Sequence, residues 1–554
     1  LKITLAQLNP VVGDIDGNVA KIRAARHAAA AQGADLVVGT ELCITGYPPE
    51  DLILKNAFVR AAMAAVEALA TETADGGPGL IIGTPWLDEA GRRFNAAAVL
   101  DDGNVQTLRF KWDLHNYGVF DEKRVFAAGE LPGPVNYRGV RLGLAVCEDM
   151  WTPDVAETLM ESGAEILVII NGSPYERDKV DVRMNHAVAR VTETELPLIY
   201  VNQVGGQDEL VFDGGSFVLN ADRRMAAASR QFTEDLTATE WARGADGWSC
   251  VSGDVHDWIE GKERIYQAMV LGLRDYVNKN GFPGVVIGLS GGIDSGITAV
   301  VAVDALGAER VHCVMMPSPY TSQDSLEDAL ELAERLKVRY DSANIAPAMG
   351  AFDEMLTEVF NEPASGVTAE NIQSRARGTL LMAISNATGA MLVTTGNKSE
   401  MSVGYATIYG DMNGGYSVIK DVYKTDVFAL CHWRNEHTPD DVMGPAGAVI
   451  PERMISKPPS AELRPDQKDE DSLPPYETLD TILHGLIEED LGGAELEAKG
   501  FDAATVQRIW RLLELSEYKR RQAPPGVKLT SRSFGRDRRY PITNAFRGRP
   551  KPNP

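Results

Sequence analysis

Apolar and polar positions follow two different periods along the first 230 residues. Short apolar runs predict strands at residues 3–8, 79–86, 140–150, 164–173 and 196–205. Residues 18–32 carry apolar side chains at helical spacing, and Gly33 is placed to end that helix. Interleaved helices and buried strands are typical of an α/β layer architecture.

A second domain is predicted beyond the point where the composition of the chain changes. At 554 residues the chain exceeds what one hydrophobic core usually supports. Residues 230–260 are polar, and we place the boundary there, with domains at 1–250 and 251–554. A strand, a glycine-rich loop and a helix follow in FPGVVIGLSGGIDSGITAVVAVDALG, which predicts βαβ units with a parallel sheet. The Pro-rich, charged stretch 451–475 is predicted to be a long functional loop.

Composition limits the classes of binding partner and the cellular compartment that we expect for this protein. The net charge of −25 repels nucleic acid, and no apolar run is long enough to span a membrane. The chain begins without the basic and apolar segments of a signal peptide. Its five cysteines are scattered without a CxxC pair, and its eight histidines lack zinc-ligand spacing. We therefore expect a cytoplasmic protein without structural zinc, acting on small molecules rather than on nucleic acid or membrane.

The strongest local signal is GLSGGIDS. Its eight residues are Gly288, Leu289, Ser290, Gly291, Gly292, Ile293, Asp294 and Ser295. Three glycines allow a tight turn, and the exposed N–H groups, hydroxyls and helix N-terminus favour phosphate. The Lys of a Walker A loop is missing, and the spacing is not GxGxxG. A turn that only caps a helix is the alternative, but the full motif between an apolar strand and an apolar helix favours phosphate binding.

SGGIDS resembles the pyrophosphate-binding loop of the ATP pyrophosphatase superfamily. That resemblance implies a Rossmann-like parallel sheet, ATP as co-substrate, and Mg²⁺ held in part by Asp294. Three later segments are similar to NAD synthetases: ENIQSRARG (370–378), TTGNKSEMSVGYATIYGD (394–411) and KDVYKTDVFAL (420–430). By this resemblance Thr395 contacts ATP, and Glu400 shares the magnesium with Asp294. It also implies deamido-NAD contacts for Asn371, Arg375, Glu400, Lys420 and Lys519.

The first domain places three reactive side chains after three separate strand-like runs. Glu41 follows LVVGT, Lys111 follows VQTLRF, and Cys147 follows VRLGLAV. Reactive groups of α/β folds lie at the carboxyl ends of strands. A thiol needs a base or a nearby cation to act as a nucleophile, so Glu41 is a candidate base and Lys111 a candidate oxyanion partner. The alternative is that Cys147 is only a small buried apolar residue.

The segments TELCITGYPPEDL, KWDLHNYGVFDEKRVF and AVCEDMW resemble the nitrilase superfamily, and more narrowly the glutaminase domain fused to NAD synthetases. The resemblance implies an α-β-β-α sandwich with Glu122 as a supporting second glutamate. It further implies that Tyr117, Ser173, Lys179 and Tyr47 contact glutamine. Two positions depart from the similar sequences: His115 stands where Pro is more usual, and Gly296 where a larger residue is.

Together the resemblances imply an enzyme that makes NAD from deamido-NAD, ATP and L-glutamine through an adenylate, as a homo-oligomer. Ammonia is readily protonated in water, so we also hypothesise an enclosed tunnel for it. Two alternatives stay open at this point. One is the same architecture amidating another carboxylate. The other is an amidase whose second domain only binds nucleotide and regulates.

Overall fold

A computed structural model describes residues 1–177, 179–465 and 467–546. It divides into two compact units, Leu1–Glu260 and the chain from Gly261 onward. The predicted boundary between residues 250 and 251 lies inside a strand, Gly247–Gly253, that pairs antiparallel with Asp235–Gly244 of the first unit. The polar stretch at 230–260 therefore contains a hairpin at the edge of the first unit.

The first unit is built from strands and helices that follow one another closely. Its strands are β1 (Lys2–Gln7), β2 (Leu36–Val38), β3 (Gly79–Leu87), β4 (Arg93–Asp101), β5 (Asn104–Phe110), β6 (Val135–Tyr137), β7 (Val140–Val146), β8 (Ile166–Asn171), β9 (Leu198–Asn202), β10 (Val204–Gln207), β11 (Leu210–Asp213), β12 (Phe217–Leu219), β13 (Met225–Ala228), β14 (Asp235–Gly244) and β15 (Gly247–Gly253). Its α-helices are α1 (Ile15–Ala31), α2 (Asn56–Glu72), α3 (Glu122–Val125), α4 (Pro153–Glu161) and α5 (Lys179–Thr194).

Two sheets form the centre of this unit. Their strand orders are β15-β14-β1-β2-β3-β4-β5 and β13-β12-β9-β8-β7-β6. Ile3 and Val38 of one sheet are buried in the same core as Leu142 and Val168 of the other. Helices α1 and α2 share a second core with the first sheet, and α4 and α5 share a third with the second sheet. The predicted α-β-β-α sandwich is confirmed, and its doubly covered strands explain the continuous apolar runs.

The two ends of α1 are set by local side-chain and backbone chemistry. The side chain of Asp14 caps α1 by accepting from the Gly17 N–H at 3.0 Å, and Gly33 takes a left-handed φ of 75° just past its end. Strand β4 was not predicted, because its alanines have little intrinsic strand preference. It forms because it is buried between β3 and β5.

In its described residues, the second unit has five strands and a larger number of helices. Its strands are β16 (Val285–Gly288), β17 (Val311–Met315), β18 (Arg339–Ser342), β19 (Met391–Thr394) and β20 (Tyr416–Ser417). Its α-helices are α6 (Gly261–Lys279), α7 (Ile293–Leu306), α8 (Gln323–Leu336), α9 (Ala346–Phe360), α10 (Val367–Thr388), α11 (Lys398–Val403), α12 (Lys424–Glu436), α13 (Glu452–Ser456), α14 (Tyr476–Ile487), α15 (Gly493–Ala498), α16 (Ala503–Leu515) and α17 (Glu517–Arg520).

The five strands are all parallel, in the order β18-β17-β16-β19-β20. The first strand of the unit, β16, is therefore central, and the chain runs outward from it in both directions. Ligands of such doubly wound sheets bind outside the carboxyl ends of the strands where the order reverses, here between β16 and β19. The predicted Rossmann-like sheet is confirmed.

The stretch 451–475 is not a continuous loop. It begins with α13, whose Met454 is 1% exposed, and has a 3₁₀ turn at Asp469–Asp471. The Met454 methyl group lies 2.9 Å from where a β-carbon on Gly296 of α7 would be, so its packing accounts for the glycine. Among the described helices, none is long and apolar enough to cross a membrane.

Candidate active sites

The side chain of Lys111 lies at the centre of a buried charge cluster in the first unit. Lys111 follows β5 directly and is 0% exposed. Its Nζ donates to Glu41 Oε1 at 2.9 Å and lies 2.8 Å from Glu122 Oε2. Burial disfavours the ammonium, but the charges of Glu122 and Glu41 hold the pKa of Lys111 well above its usual value. Lys111 is therefore a fixed cation in this site.

Glu41 is held by three donors. It lies three residues beyond β2, fully buried. Its Oε1 accepts from Lys111 and, at 2.7 Å, from Asn95 Nδ2, while its Oε2 accepts from the Gly172 N–H at 2.9 Å. The three bonds fix the orientation of the carboxylate, as a general base requires.

Cys147 lies where β7 gives way to a 3₁₀ turn, Cys147–Met150. Its backbone has a φ of 49°, in the left-handed region, which costs a residue with a β-carbon about 1–3 kcal/mol. Burial, followed by the charge of Glu41, raises the pKa of the thiol well above its usual value. The resting side chain is thus a neutral thiol that needs a base to remove its proton.

Glu122 and its neighbours complete the cluster. Burial opposes the charge of Glu122, yet the charge of the Lys111 ammonium lowers its pKa. Its Oε2 also accepts from the His115 backbone N–H at 3.2 Å. Glu122 therefore stays ionised and neutralises part of the Lys111 charge, which is a supporting role rather than one of proton transfer.

The four residues expected to contact glutamine differ in exposure and in the groups that they contact. Tyr117 is 55% exposed and donates to Glu148 Oε1 at 2.7 Å. Tyr47 is 3% exposed, and its ring lies so close to Gly172 that a β-carbon there would be 2.8 Å away. The Ser173 N–H donates to Asn202 Oδ1, and the Lys179 ammonium lies 5.8 Å from the centre of the Trp151 ring.

Sequence reasoning missed three polar residues of this site. Asn95 of β4 donates through one nitrogen to both Glu41 and Glu122, at 2.7 and 3.2 Å. Asp149 accepts from the N–H groups of Trp112, Asp113 and Val146, which ties the Lys111 loop to the Cys147 turn. Glu148 accepts from Tyr117. The sequence signal for Asn95 was a lone Asn in the apolar run FNAAAVL. The signal for Glu148 and Asp149 was the acidic pair directly after Cys147.

The GLSGGIDS segment forms a cradle between β16 and α7. Gly291 has a φ of 80°, and a β-carbon on it would lie 2.3 Å from the Ser325 carbonyl oxygen, so only glycine fits. The hydroxyls of Ser290 and Ser295 are 3.1 Å apart, and Ser295 donates to the Gly292 carbonyl. The cradle lines a cavity of about 280 Å³ at the predicted switch point of the sheet.

All nine residues predicted to bind ATP, the eight of the cradle and Thr395, line this cavity. Glu400 lines it as well, and so do Lys424 and Lys457, which sequence reasoning did not single out. The Lys457 ammonium contacts Ser325 and lies 3.1 Å from Glu462 Oε1. Segment 457–463 thus borders the cavity, in agreement with a functional role for part of the 451–475 stretch.

Asp294 and Glu400 converge on the ammonium of Lys424. The Lys424 Nζ contacts Asp294 Oδ2 and lies 3.5 Å from Glu400 Oε1. Asn397 caps α11 by accepting from the Glu400 N–H at 3.0 Å, and it donates to Asp294 Oδ1 at 2.9 Å. Burial, followed by the charge of Asp294, raises the pKa of Glu400 to about 8. Two acidic side chains are therefore held together around one cation.

The remaining predicted deamido-NAD residues are distributed between two places. Three of them contact the segment 404–408: Asn371 accepts from Thr407 Oγ1, Arg375 donates to the Ile408 carbonyl, and Lys519 donates to the carbonyls of Gly404 and Ala406. These three are described residues that do not line the 280 Å³ cavity. Lys420 is 6% exposed and lines a small adjoining cavity together with Glu400. Arg377, which the sequence did not single out, lines the main cavity.

Comparison with known proteins decides the family. Residues 2–244 match the carbon-nitrogen hydrolase family model, and residues 265–523 match the NAD synthase family model. The chain is 53% identical to a glutamine-dependent NAD(+) synthetase of Rhodobacter capsulatus over 546 residues, 99% of both chains. It is 44% identical to that of Acinetobacter baylyi, again over 99% of both.

The chain belongs to the glutamine-dependent NAD synthetases. It is an enzyme of that family, and the predicted resemblance is confirmed across both halves.

Solved NAD synthetases share the fold. The structure of the glutamine-dependent NAD+ synthetase from Acinetobacter baumannii in complex with ADP is 43% identical, matches with a TM-score of 0.78, and covers 99% of both chains. The glutamine-dependent NAD(+) synthetase from Cytophaga hutchinsonii is 21% identical and matches with a TM-score of 0.82, which shows that the two chains share a fold.

Replacing Asn95 by Asp tests the buried charge cluster. The change is isosteric, but it removes a donor shared by two carboxylates and adds a third negative charge. We expect the free energy of unfolding at pH 8 to fall by about 3–5 kcal/mol. The added carboxyl has a raised pKa in the folded state, so the folded protein binds more protons and the loss grows as pH rises.

Denaturant unfolding of Asn95→Asp at pH 5 and pH 8 measures this dependence. The matched control is Asn136→Asp, an exposed asparagine whose side-chain oxygen accepts from Gly139 and whose replacement keeps that bond. Equal losses for the two variants, or a loss independent of pH, would contradict the expectation.

Proposed function

We propose that this enzyme converts deamido-NAD to NAD with ATP as the energy source and L-glutamine as the nitrogen donor. One observation carries the proposal: a single chain holds a buried Cys147, Glu41 and Lys111 set in one unit and an SGGIDS phosphate cradle in the other. The first set suits amide hydrolysis, and the second suits release of pyrophosphate. The family assignment agrees with both.

In the first unit Glu41 acts as the base. Its carboxylate takes the thiol proton as the sulfur attacks the side-chain amide carbon of glutamine, and the Lys111 ammonium stabilises the oxyanion. Glu41 then gives the proton to the departing nitrogen, which leaves as ammonia. A water molecule, deprotonated by Glu41, hydrolyses the thioester to glutamate and restores the thiol. Tyr47, Tyr117, Ser173 and Lys179 are proposed to hold glutamine.

In the second unit the carboxylate of deamido-NAD attacks the α-phosphorus of ATP. The bond to the β-phosphate oxygen breaks, and pyrophosphate is held by the N–H groups and hydroxyls of the 288–295 cradle. Ammonia then attacks the carbonyl carbon of the adenylate, loses a proton, and expels AMP. We propose that four residues contribute to binding deamido-NAD: Asn371, Arg375, Lys420 and Lys519. Asn371, Arg375 and Lys519 contact segment 404–408, and in the proposal they act by shaping that segment.

Magnesium fits the carboxylates of this site. Mg²⁺ is commonly bound by one or two protein carboxylates together with substrate phosphates, and Asp294 and Glu400 provide two beside the cradle. No cluster of three or more His, Cys, Asp or Glu side chains in the described residues could hold a metal by itself. Bound there, the ion would neutralise phosphate charge and polarise the α-phosphate.

We further propose a cytoplasmic, homo-oligomeric enzyme that passes ammonia between its sites without release. Free thiols at all five cysteines support a reducing compartment. Helix α9 supports self-association, because none of its residues is buried and Phe352, Met355, Val359 and Phe360 expose 44–67% of their surface.

Replacing Cys147 by Ala separates the two half-reactions. We expect the variant to lose glutamine-dependent NAD formation by more than about a thousandfold, since the nucleophile is gone, and to keep ammonium-dependent formation. NAD is measured with deamido-NAD, ATP and Mg²⁺, with glutamine or ammonium as nitrogen source. Cys43→Ala, a buried cysteine hydrogen-bonded only to backbone, is the matched control.

Two outcomes of that assay would contradict the proposal. A Cys147→Ala enzyme that still uses glutamine would exclude the assigned nucleophile. A wild type that hydrolyses glutamine but forms no NAD would favour the regulatory-domain alternative.

Adding ¹⁵N-ammonium during glutamine turnover tests whether ammonia passes between the sites without release. Full mixing of the label into NAD would exclude such transfer.

Replacing Asp294 by Asn tests the synthetase half. The change removes one carboxylate of the magnesium pair and the ion-pair partner of Lys424. We expect deamido-NAD-dependent ATP–pyrophosphate exchange to fall by roughly a hundredfold or more. The matched control is Asp440→Asn, an exposed aspartate. Unchanged exchange at saturating Mg²⁺ would refute a role for Asp294.

Replacing Phe360 by Glu tests self-association through α9. Phe360 is 63% exposed, so the change does not disturb a core, but it places a charge on the apolar face. We expect a lower molar mass than wild type in light scattering after gel filtration. Val251→Glu, at a 61% exposed valine of the first unit, serves as control. A monomeric wild type would refute the oligomer.

A further inference from the structure

His115 is a buried polar residue to which the proposed amidase mechanism gives no task. It lies between Lys111 and α3, with 5% of its surface exposed. Its ring packs against Phe120 and Tyr117, with ring centres 5.0 and 5.4 Å apart. A buried imidazole without hydrogen-bond partners costs free energy, so the atoms that face its two nitrogens indicate its protonation state.

The two ring nitrogens face different charged groups. Nδ1 lies 3.4 Å from Lys111 Nζ and 3.7 Å from Glu122 Oε2. Nε2 contacts Glu148 Oε2, the carboxylate that also accepts from the Tyr117 hydroxyl. The groups that face the ring are therefore one ammonium, two carboxylates and one phenol.

Counting protons assigns the tautomer. The Lys111 ammonium has three N–H bonds. Two are directed at Glu41 and Glu122, and the third has Nδ1 of His115 within reach. Nδ1 accepts only if it carries no proton, which leaves the proton on Nε2, the nitrogen that contacts Glu148 Oε2. A proton on Nδ1 would instead face the ammonium at 3.4 Å and have no acceptor within 3.5 Å among these groups.

We propose that neutral His115 is a positioning residue of the amidase reaction, accepting the third N–H of Lys111 and donating Nε2–H to Glu148. The inference rests on the proposed function. A neutral imidazole binds an ammonium N–H less strongly than a carboxylate does, so this N–H is the one free to turn to the oxyanion as it forms. The contact with Glu148 joins the ammonium to the residue that follows the nucleophile.

Three substitutions separate the two bonds. His115→Asn keeps an acceptor near Nδ1, His115→Gln keeps a donor near Nε2, and His115→Phe keeps the ring but loses both. We expect His115→Phe to lower kcat with glutamine about ten- to a hundredfold, with a much smaller change in KM, because the lost interaction aims Lys111 in the transition state. His115→Asn is expected to retain more activity than His115→Gln. His27→Asn, at an exposed histidine of α1, is the control.

The split between kcat and KM gives a readout that a merely structural role would not move. Ammonium-dependent NAD formation in each variant reports folding independently.

The outcomes distinguish the inference from the function beneath it. Wild-type kcat in His115→Phe, or an equal fall of kcat in His115→Asn and His115→Gln, would overturn the role of His115 and leave the amidase assignment intact. A wild type that uses ammonium but not glutamine would refute the amidase function, and the role of His115 with it.

Discussion

The amidase site depends on one interaction, the burial of the Lys111 ammonium between two carboxylates. A lone ammonium at 0% exposure would lose its proton or unfold the site, since transfer of an isolated charge into the interior is very costly. Glu41 and Glu122 make the burial possible and in return are held in fixed orientations. The three side chains come from separate segments, so the ion pairs also fix how β2, β5 and α3 meet.

The synthetase site also places a lysine between two acidic side chains, but those side chains are less buried. Lys424 lies between Asp294 and Glu400, but the two carboxylates are partly exposed and border a cavity. In the amidase site the carboxylates are nearly inaccessible to solvent, so Lys111 is their permanent partner. Beside the cavity, another cation has access to the carboxylates. The same residue types thus hold a fixed charge in one unit and, in the proposed function, a site for metal and phosphate in the other.

Sequence patterns gave the architecture and the motif residues, but not the contacts between motifs. The apolar runs predicted β1, β3 and β7 because strands covered on both faces are continuous in hydrophobicity. Glu41, Lys111 and Cys147 were recognisable because each follows such a run. Asn95 was not, because its importance arises from lying between two carboxylates that are distant in sequence. Arg375 and Arg377 stand in one motif, and only the fold shows that Arg377 lines the cavity while Arg375 is exposed.

Burial also determines the order of events at Cys147. Desolvation and the charge of Glu41 keep the thiol protonated, so a stable thiolate is not available to react with solutes that enter the site. In the proposed mechanism the same Glu41 that disfavours the thiolate removes its proton, and once protonated it no longer repels the negative sulfur. Proton transfer and attack on the amide are therefore expected to occur together, when a bound carbonyl receives the charge and the Lys111 ammonium stabilises it.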